Sequence, residues 1–193
     1  MRNNTLILGL GLLAGQAVAD NTPPPLNITA LSSRNGYSVI ECWQLSSIPI
    51  DAMSAANYPI GNTTVATWSR IEPRTHIGEA WAPRVQLSII LNGLIRITSP
   101  APIAPNGGNG GGSASMCLSD GLSVAGRPDT KVAYIMPGTL RSSVLIAADT
   151  KAVSTIAGHF TEFPSDEPTI LVQIPFEGDK LPEHTVVYDG PCQ

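Results

Sequence analysis

Residues 84–97 read RVQLSIILNGLIRI, and this stretch decides the fold class. Two apolar runs flank Asn92-Gly93, a dipeptide that favours a two-residue turn between antiparallel strands. Before the turn, Arg84, Gln86 and Ser88 share one face of the run, as alternate residues of a strand do. The stretch therefore predicts two strands joined by a tight hairpin.

Short apolar runs of this kind recur along the chain, separated by turn signals that contain Gly, Pro and Asp. The predicted strands are 37–45, 63–71, 84–91, 93–98, 131–136, 142–147, 159–163, 169–174 and 185–188. Helix candidates are short, at 51–57 and 149–157. Strands at such close spacing predict an all-β domain, either a double-sheet jelly roll or a barrel.

The charge balance of the chain argues against one class of binding partner. The 193 residues carry a net charge of −4, and only 13% are charged, whereas about 25% is typical of a globular domain. Such a chain has no basic field to hold phosphates, which argues against nucleic acid as a partner.

The N-terminus has the pattern of a cleavable signal peptide over residues 1–19. One basic residue precedes the apolar run 6–13, and Ala17-Val18-Ala19 matches a small-x-small cleavage site. The run is shorter than the roughly 20 residues of a membrane-spanning helix, and we expect no transmembrane segment elsewhere. We therefore expect a protein that is secreted or enters the secretory lumen, with a Pro- and Asn-rich arm at 20–36 and one folded domain at 37–193.

Secretion makes two modifications possible. Sequons begin at Asn27 and Asn62, which predicts N-glycans at both. The three cysteines cannot all pair within one chain. We favour a disulfide between Cys42 and Cys192, which would tie the two ends of the domain together, while a pairing of Cys117 with either of them stays open.

Three common catalytic or binding motifs are not matched. The Gly-rich stretch 105–113 lacks the Lys-Ser/Thr of a phosphate-binding loop. In 121–126 the second glycine comes one residue too late for a nucleophile elbow. His76, His159 and His184 have no metal-pair spacing, so we expect no metal.

The segment from Thr75 to the Asn92-Gly93 turn resembles the first motif of the cupins, a barrel family that binds metal through histidines and a glutamate. Counting back from Gly93, the cupin glutamate position falls on Gln86. The cupin histidine positions fall on other residue types, Ala80 and Ala82 or Glu79 and Trp81. Pro137-Gly138 matches the second cupin motif, with Arg141 near its ligand position. The resemblance implies a cupin-like jelly-roll β-barrel without the cupin metal.

Further motifs together resemble a group of small secreted cupin-like proteins of fungi. They are 41–45, 82–86, 146–150, 158–159, 164–167, 182–186 and 190–192. One branch of that group consists of glycosylated hetero-Diels–Alderases, which join a tropolone-derived o-quinone-methide to a macrocyclic sesquiterpene of the humulene type. The resemblance implies this reaction, with a tropolone and a terpene as substrates and no cofactor. Because cupins often pair, it also implies a homodimer.

The implied reaction needs two oriented reactants and hydrogen-bond donors at the heterodiene oxygen. Three arginines lie on or beside predicted strands: Arg70, Arg84 and Arg141. An arginine can donate hydrogen bonds to both oxygens of a tropolone at once. Gln86 shares a face with Arg84. If water must be lost to make the quinone-methide, His159 is the expected acid.

An apolar barrel interior is expected to hold the reactants. The predicted substrate-binding residues are Trp68, Trp81, Ser88, Tyr134 and Phe160. The three arginines have a second interpretation, in which they lie on the outer face beside acidic residues. Two other functions also stay open: binding of a hydrophobic molecule without chemistry, and a role at the cell surface or toward a host.

Overall fold

The computed structural model describes residues 23–102, 126–138 and 141–193. The predicted signal peptide, the Gly-rich stretch 105–113, Cys117 and residues 121–125 lie outside the described residues. The described part of the chain is all-β, as predicted, with a single 3₁₀ turn at Glu177–Asp179. In these ranges, no helix has the length and apolar character needed to cross a membrane.

The described residues contain thirteen strands. Their bounds are β1 Asn27–Arg34, β2 Tyr37–Leu45, β3 Ile50–Ala52, β4 Ala55–Asn57, β5 Thr67–Ile71, β6 Thr75–Ala80, β7 Gln86–Asn92, β8 Ile95–Ser99, β9 Lys131–Ile135, β10 Val144–Ala147, β11 His159–Phe163, β12 Thr169–Pro175 and β13 His184–Asp189. They form a seven-stranded sheet in the order β13-β2-β1-β10-β7-β12-β5, a four-stranded sheet in the order β6-β11-β8-β9, and the small hairpin β3-β4.

The two larger sheets are separate. Neighbouring strands are antiparallel except β1 and β10, which run parallel. Across 23–102, 126–138 and 141–193 no strand ladder joins the four-stranded to the seven-stranded sheet, so the predicted closed barrel is not observed.

Both faces of the seven-stranded sheet are buried at its centre, as β10 illustrates. Leu145 and Ala147 face the four-stranded sheet and join a cluster that includes Ile97 and Phe163 from it. The alternate residues belong to a second cluster on the opposite face, whose buried members are Ile28, Ala30, Trp43, Leu45, Val85, Leu87, Ile146, Ala148 and Phe176. The core therefore has two layers, and the inner one lies between the sheets.

The predicted hairpin at Asn92-Gly93 is wrong, because β7 and β8 belong to different sheets. The dipeptide is instead the corner at which the chain crosses between them. Gly93 has a φ of +81°, and a Cβ there would lie 2.4 Å from Oγ1 of Thr169. Asn92 donates from Nδ2 to the Pro168 carbonyl at 2.8 Å. Gly93 therefore adopts the left-handed backbone conformation that glycine permits, and the missing Cβ allows close packing against Thr169 of β12.

A two-residue turn with positive φ at both positions does occur at Asn35-Gly36, between β1 and β2. Residues 27–34 of the predicted arm therefore form a strand, paired with β2 along its whole length.

Both predicted helices are wrong. Residues 51–57 contribute to the β3-β4 hairpin, and Met53 and Ser54 at its tip have positive φ. Residues 149–157 form a loop without helix, which starts at the fully buried Asp149 and ends at Ala157, bridged to Tyr37. Segments this short gain little from helix formation alone, so contacts to neighbouring strands decide their conformation.

Candidate functional site

The predicted disulfide between Cys42 and Cys192 is present, with 4.7 Å between the two Cα atoms. It fastens the end of the chain to β2, and the Cys192 N–H also donates to Oγ1 of Thr29 at 3.0 Å. Of the two sequon asparagines, Asn27 is half-buried at the start of β1 and Asn62 is exposed. Their N-glycosylation stays a prediction.

A cavity of about 180 Å³ lies between the two larger sheets. Its apolar lining includes Leu31, Leu145, Ala147 and Leu171 from one sheet and Ile95, Ile97 and Phe163 from the other. Its polar lining consists of Gln86, Ser88, His159, Thr161 and Gln173. Ile77 and Trp81 also line it and are partly exposed, so they mark its solvent side. An apolar cavity with a few convergent polar groups has the character of a small-molecule site.

His159 enters this cavity from a buried hydrogen-bond network. Its Nδ1 lies 2.5 Å from Oδ2 of the fully buried Asp149. The same carboxylate oxygen accepts from the Ser38 hydroxyl at 2.6 Å, and Ser38 in turn accepts from the Ser99 hydroxyl at 2.8 Å. Because a carboxylate only accepts, Nδ1 of His159 carries the proton. No described residue bonds Nε2, which is left for a ligand.

Gln86 and Ser88 add hydrogen-bonding groups on the opposite wall. Both are buried on β7, and Ser88 is paired in register with Gln173 of β12. Gln173 has a protein partner, since its Oε1 accepts from the Ser69 hydroxyl at 3.2 Å. Within the described ranges, no hydrogen bond joins the side chain of Gln86 or Ser88 to another protein group, and neither is among the fully enclosed polar atoms without a partner, so both keep access to the cavity. Since buried polar groups are normally satisfied, these two are suited to meet the polar end of a ligand.

The three arginines predicted to be catalytic lie outside the cavity and are exposed. Arg70, Arg84 and Arg141 donate to the Glu72 carboxylate, the Asp179 carboxylate and the Gln193 backbone carbonyl, respectively. The expected interior position of these side chains is therefore wrong. For Arg84 the reason is local: β7 begins only at Gln86, so strand alternation does not extend back to it.

The predicted substrate-binding residues divide between the cavity and other positions. Trp81 lines the cavity, as does Ser88. Trp68 lies exposed on the edge strand β5, and Tyr134 is exposed on β9. Phe160 follows His159 on β11, so alternation places it on the face away from the cavity.

The positions that resemble the first cupin motif meet at this cavity in the register that uses Ala80 and Ala82. Gln86, Ala80 and Ala82 all line it, whereas Arg141 does not. In the part of the chain that the structure describes, no three His, Cys, Asp or Glu side chains cluster closely enough to hold a metal ion.

Several of the site's residues were not predicted. Alternation from His159 along β11 could have identified Thr161 and Phe163 as cavity-lining residues. Asp149 was assigned to a helix, and no sequence signal joins it to Ser38, which is 111 positions away.

Comparison with known proteins gives no relative. No protein-family model matches the chain, and searches among curated proteins and among solved structures found no match. The geometry of the cavity therefore has to support the functional argument.

Proposed function

We propose that strands β5 to β12 form a jelly roll of the cupin type. Support comes from their pairing, which is nested: β8 pairs with β9, β7 with β10, β6 with β11 and β5 with β12. A long antiparallel ribbon wrapped on itself gives this pattern, and it places the strands in two facing sheets, as in jelly rolls.

We further propose that the protein is a cofactor-independent hetero-Diels–Alderase. It would join a tropolone-derived o-quinone-methide to a sesquiterpene of the humulene type, as the resemblance to fungal cupin-like proteins implies. The observation that supports this best is the apolar cavity into which His159, Gln86 and Ser88 turn their hydrogen-bonding groups.

The cavity suits the chemistry of such a reaction. The heterodiene and the alkene form one C–C and one C–O bond, and no atom is lost, so the protein needs only to orient the reactants and stabilise charge on the heterodiene oxygen. Gln86 and Ser88 can donate hydrogen bonds to that oxygen. His159, when protonated and held by Asp149, donates from Nε2. If the quinone-methide forms in the cavity, the same proton goes to the hydroxyl group that leaves as water when its C–O bond breaks, and the ring hydroxyl of the alcohol returns a proton to the neutral Nε2.

A second candidate function is binding of one hydrophobic molecule without chemistry. The cavity volume of about 180 Å³ is below the roughly 300 Å³ at the lower end of typical ligand pockets. A cavity of this size favours one bound molecule over two complete reactants. Such a volume holds one small reactant or the reacting end of a larger one.

Turnover by the purified protein decides between the two. A tropolonic alcohol and humulene are incubated with wild type, with His159→Asn, and with Arg70→Ala as a control on the exposed surface. The Asn amide can still donate to Asp149 but has no equivalent of Nε2. We expect wild type and the Arg70 variant to form one stereoisomer of the cycloadduct, and the His159 variant to be about 100-fold slower.

Other outcomes separate the alternatives. Saturable binding of either reactant, with product at the uncatalysed rate and selectivity, would favour the binding function. If neither reactant binds, the cycloaddition proposal is wrong.

A further inference from the structure

A second, larger cleft lies outside the sandwich, next to the cavity. Its volume is about 810 Å³, within the usual range of ligand pockets, and loop residues 150–153 form one of its walls. Trp81, Ala82 and Pro83 line both the cleft and the cavity, so this short segment is the partition between them.

The partition is held by the same loop. The indole N–H of Trp81 donates to the backbone carbonyl of Ser154 at 2.7 Å. The ammonium of Lys151 lies 4.8 Å from the centre of the Trp81 ring, a cation–π contact. These contacts fix the position of Lys151 at the cleft without neutralising its charge.

Lys151 gives the cleft an uncompensated positive charge. Among the described residues, no carboxylate lies within ion-pair distance of it. The other cation of the cleft, Arg84, is paired with Asp179, whose carboxylate is 3.1 Å away. The cleft is therefore locally cationic on a chain whose net charge is −4.

The remaining lining is mostly apolar. Val153 and Leu181 are large apolar residues, and each leaves about half of its surface exposed at the cleft. Pro83 is exposed beside them. A ligand that covers these side chains removes apolar surface from water, which favours binding.

We propose that this outer cleft binds an amphipathic monoanion, with its apolar body on Val153, Leu181 and Pro83 and its anionic group on Lys151. Charge complementarity identifies the ligand class, because a single free cation stands beside an apolar surface. The site is separate from the cavity and does not depend on the function proposed for it. Because the ion pair is solvent-exposed, its charge contributes a modest part of the affinity, about threefold to fivefold.

Two fluorescent probes that differ by one charge test this proposal. Anilinonaphthalene sulfonate is an amphipathic monoanion, and N-phenylnaphthylamine is its uncharged analogue. Their dissociation constants are measured at low salt for wild type, Lys151→Met, Lys151→Arg, and Lys180→Met, which removes the same charge from a different cleft.

We expect Lys151→Met to weaken binding of the sulfonate about threefold to fivefold and to leave the uncharged probe unchanged. Lys151→Arg should keep the affinity of wild type, and Lys180→Met should alter neither probe. A sulfonate affinity within twofold of wild type in Lys151→Met, or an equal loss for both probes, would overturn the proposal. An equal loss of sulfonate affinity in Lys180→Met would also overturn it, because the effect would then come from the net charge of the protein and not from Lys151.

Discussion

Replacing Cys42 and Cys192 together by alanine should lower the free energy of unfolding by about 3 to 5 kcal/mol. The two cysteines are separated by 150 positions in the chain. In the chain-entropy treatment, a loop of that length removes about 17 cal/mol/K from the unfolded ensemble, or about 5 kcal/mol at room temperature. Residual structure in the unfolded chain reduces this value, which sets the lower figure. Both cysteines are replaced so that neither leaves a free thiol.

Urea unfolding followed by tryptophan fluorescence measures the effect. At about 2 to 4 °C per kcal/mol for a chain of this size, the melting temperature should fall by roughly 6 to 20 °C. A thiol reductant should destabilise wild type by a similar amount and leave the double variant unchanged. A loss below about 1 kcal/mol in the variant would refute the reasoning, because the bridge would then constrain little of the unfolded ensemble.

Two further predictions concern single side chains. Gly158→Ala should lower the free energy of unfolding in urea by about 1 to 3 kcal/mol. The added Cβ would lie 2.2 Å from the Ala80 carbonyl oxygen and 2.8 Å from the Trp81 ring. A change under about 0.5 kcal/mol would contradict this, because it would show that the segment around Trp81 moves to accommodate the methyl group. The Arg34 guanidinium, 2.5 Å from Asp189, holds the pKa of that carboxyl below its usual value of 3.8. The pair therefore stabilises the fold above pH 3.8, and the stabilisation is lost as the pH falls through the lower pKa of the folded state. Since Asp189 is about half exposed, Asp189→Asn should lower the unfolding free energy by at most about 1 kcal/mol at neutral pH and by nothing in strong acid, and a difference that stays constant with pH would contradict the prediction.

Local patterns in the sequence predicted the local parts of the structure. The predicted strands 37–45 and 159–163 match β2 and β11, because alternation and turn residues act over a few positions. Alternation puts His159 and Glu162 on opposite faces of β11, so only one of them can face inward, and the structure places His159 at the cavity and pairs Glu162 with Arg96 outside it.

The remaining features depend on contacts between distant residues. Asn92-Gly93 indicates a turn, but which sheet the next strand joins is decided by the packing of Gly93 against Thr169. The sequence does not show whether the Arg84 side chain faces the cavity or the solvent. Its position is set by the ion pair with Asp179, which only the folded chain brings beside it. Asp149 follows a buried strand, and only the pairing of distant strands brings Ser38 and His159 to its carboxylate.

The most direct test of the proposed function is a crystal structure of the protein with its cycloadduct bound. We predict that the ring oxygen formed in the reaction lies within hydrogen-bond distance, about 3 Å, of Nε2 of His159 in the cavity between the sheets. The hydrocarbon part should extend toward Ile77 and Trp81 on the solvent side. A cycloadduct found only in the outer cleft or on the surface, with the cavity closed by its own side chains, would contradict the account.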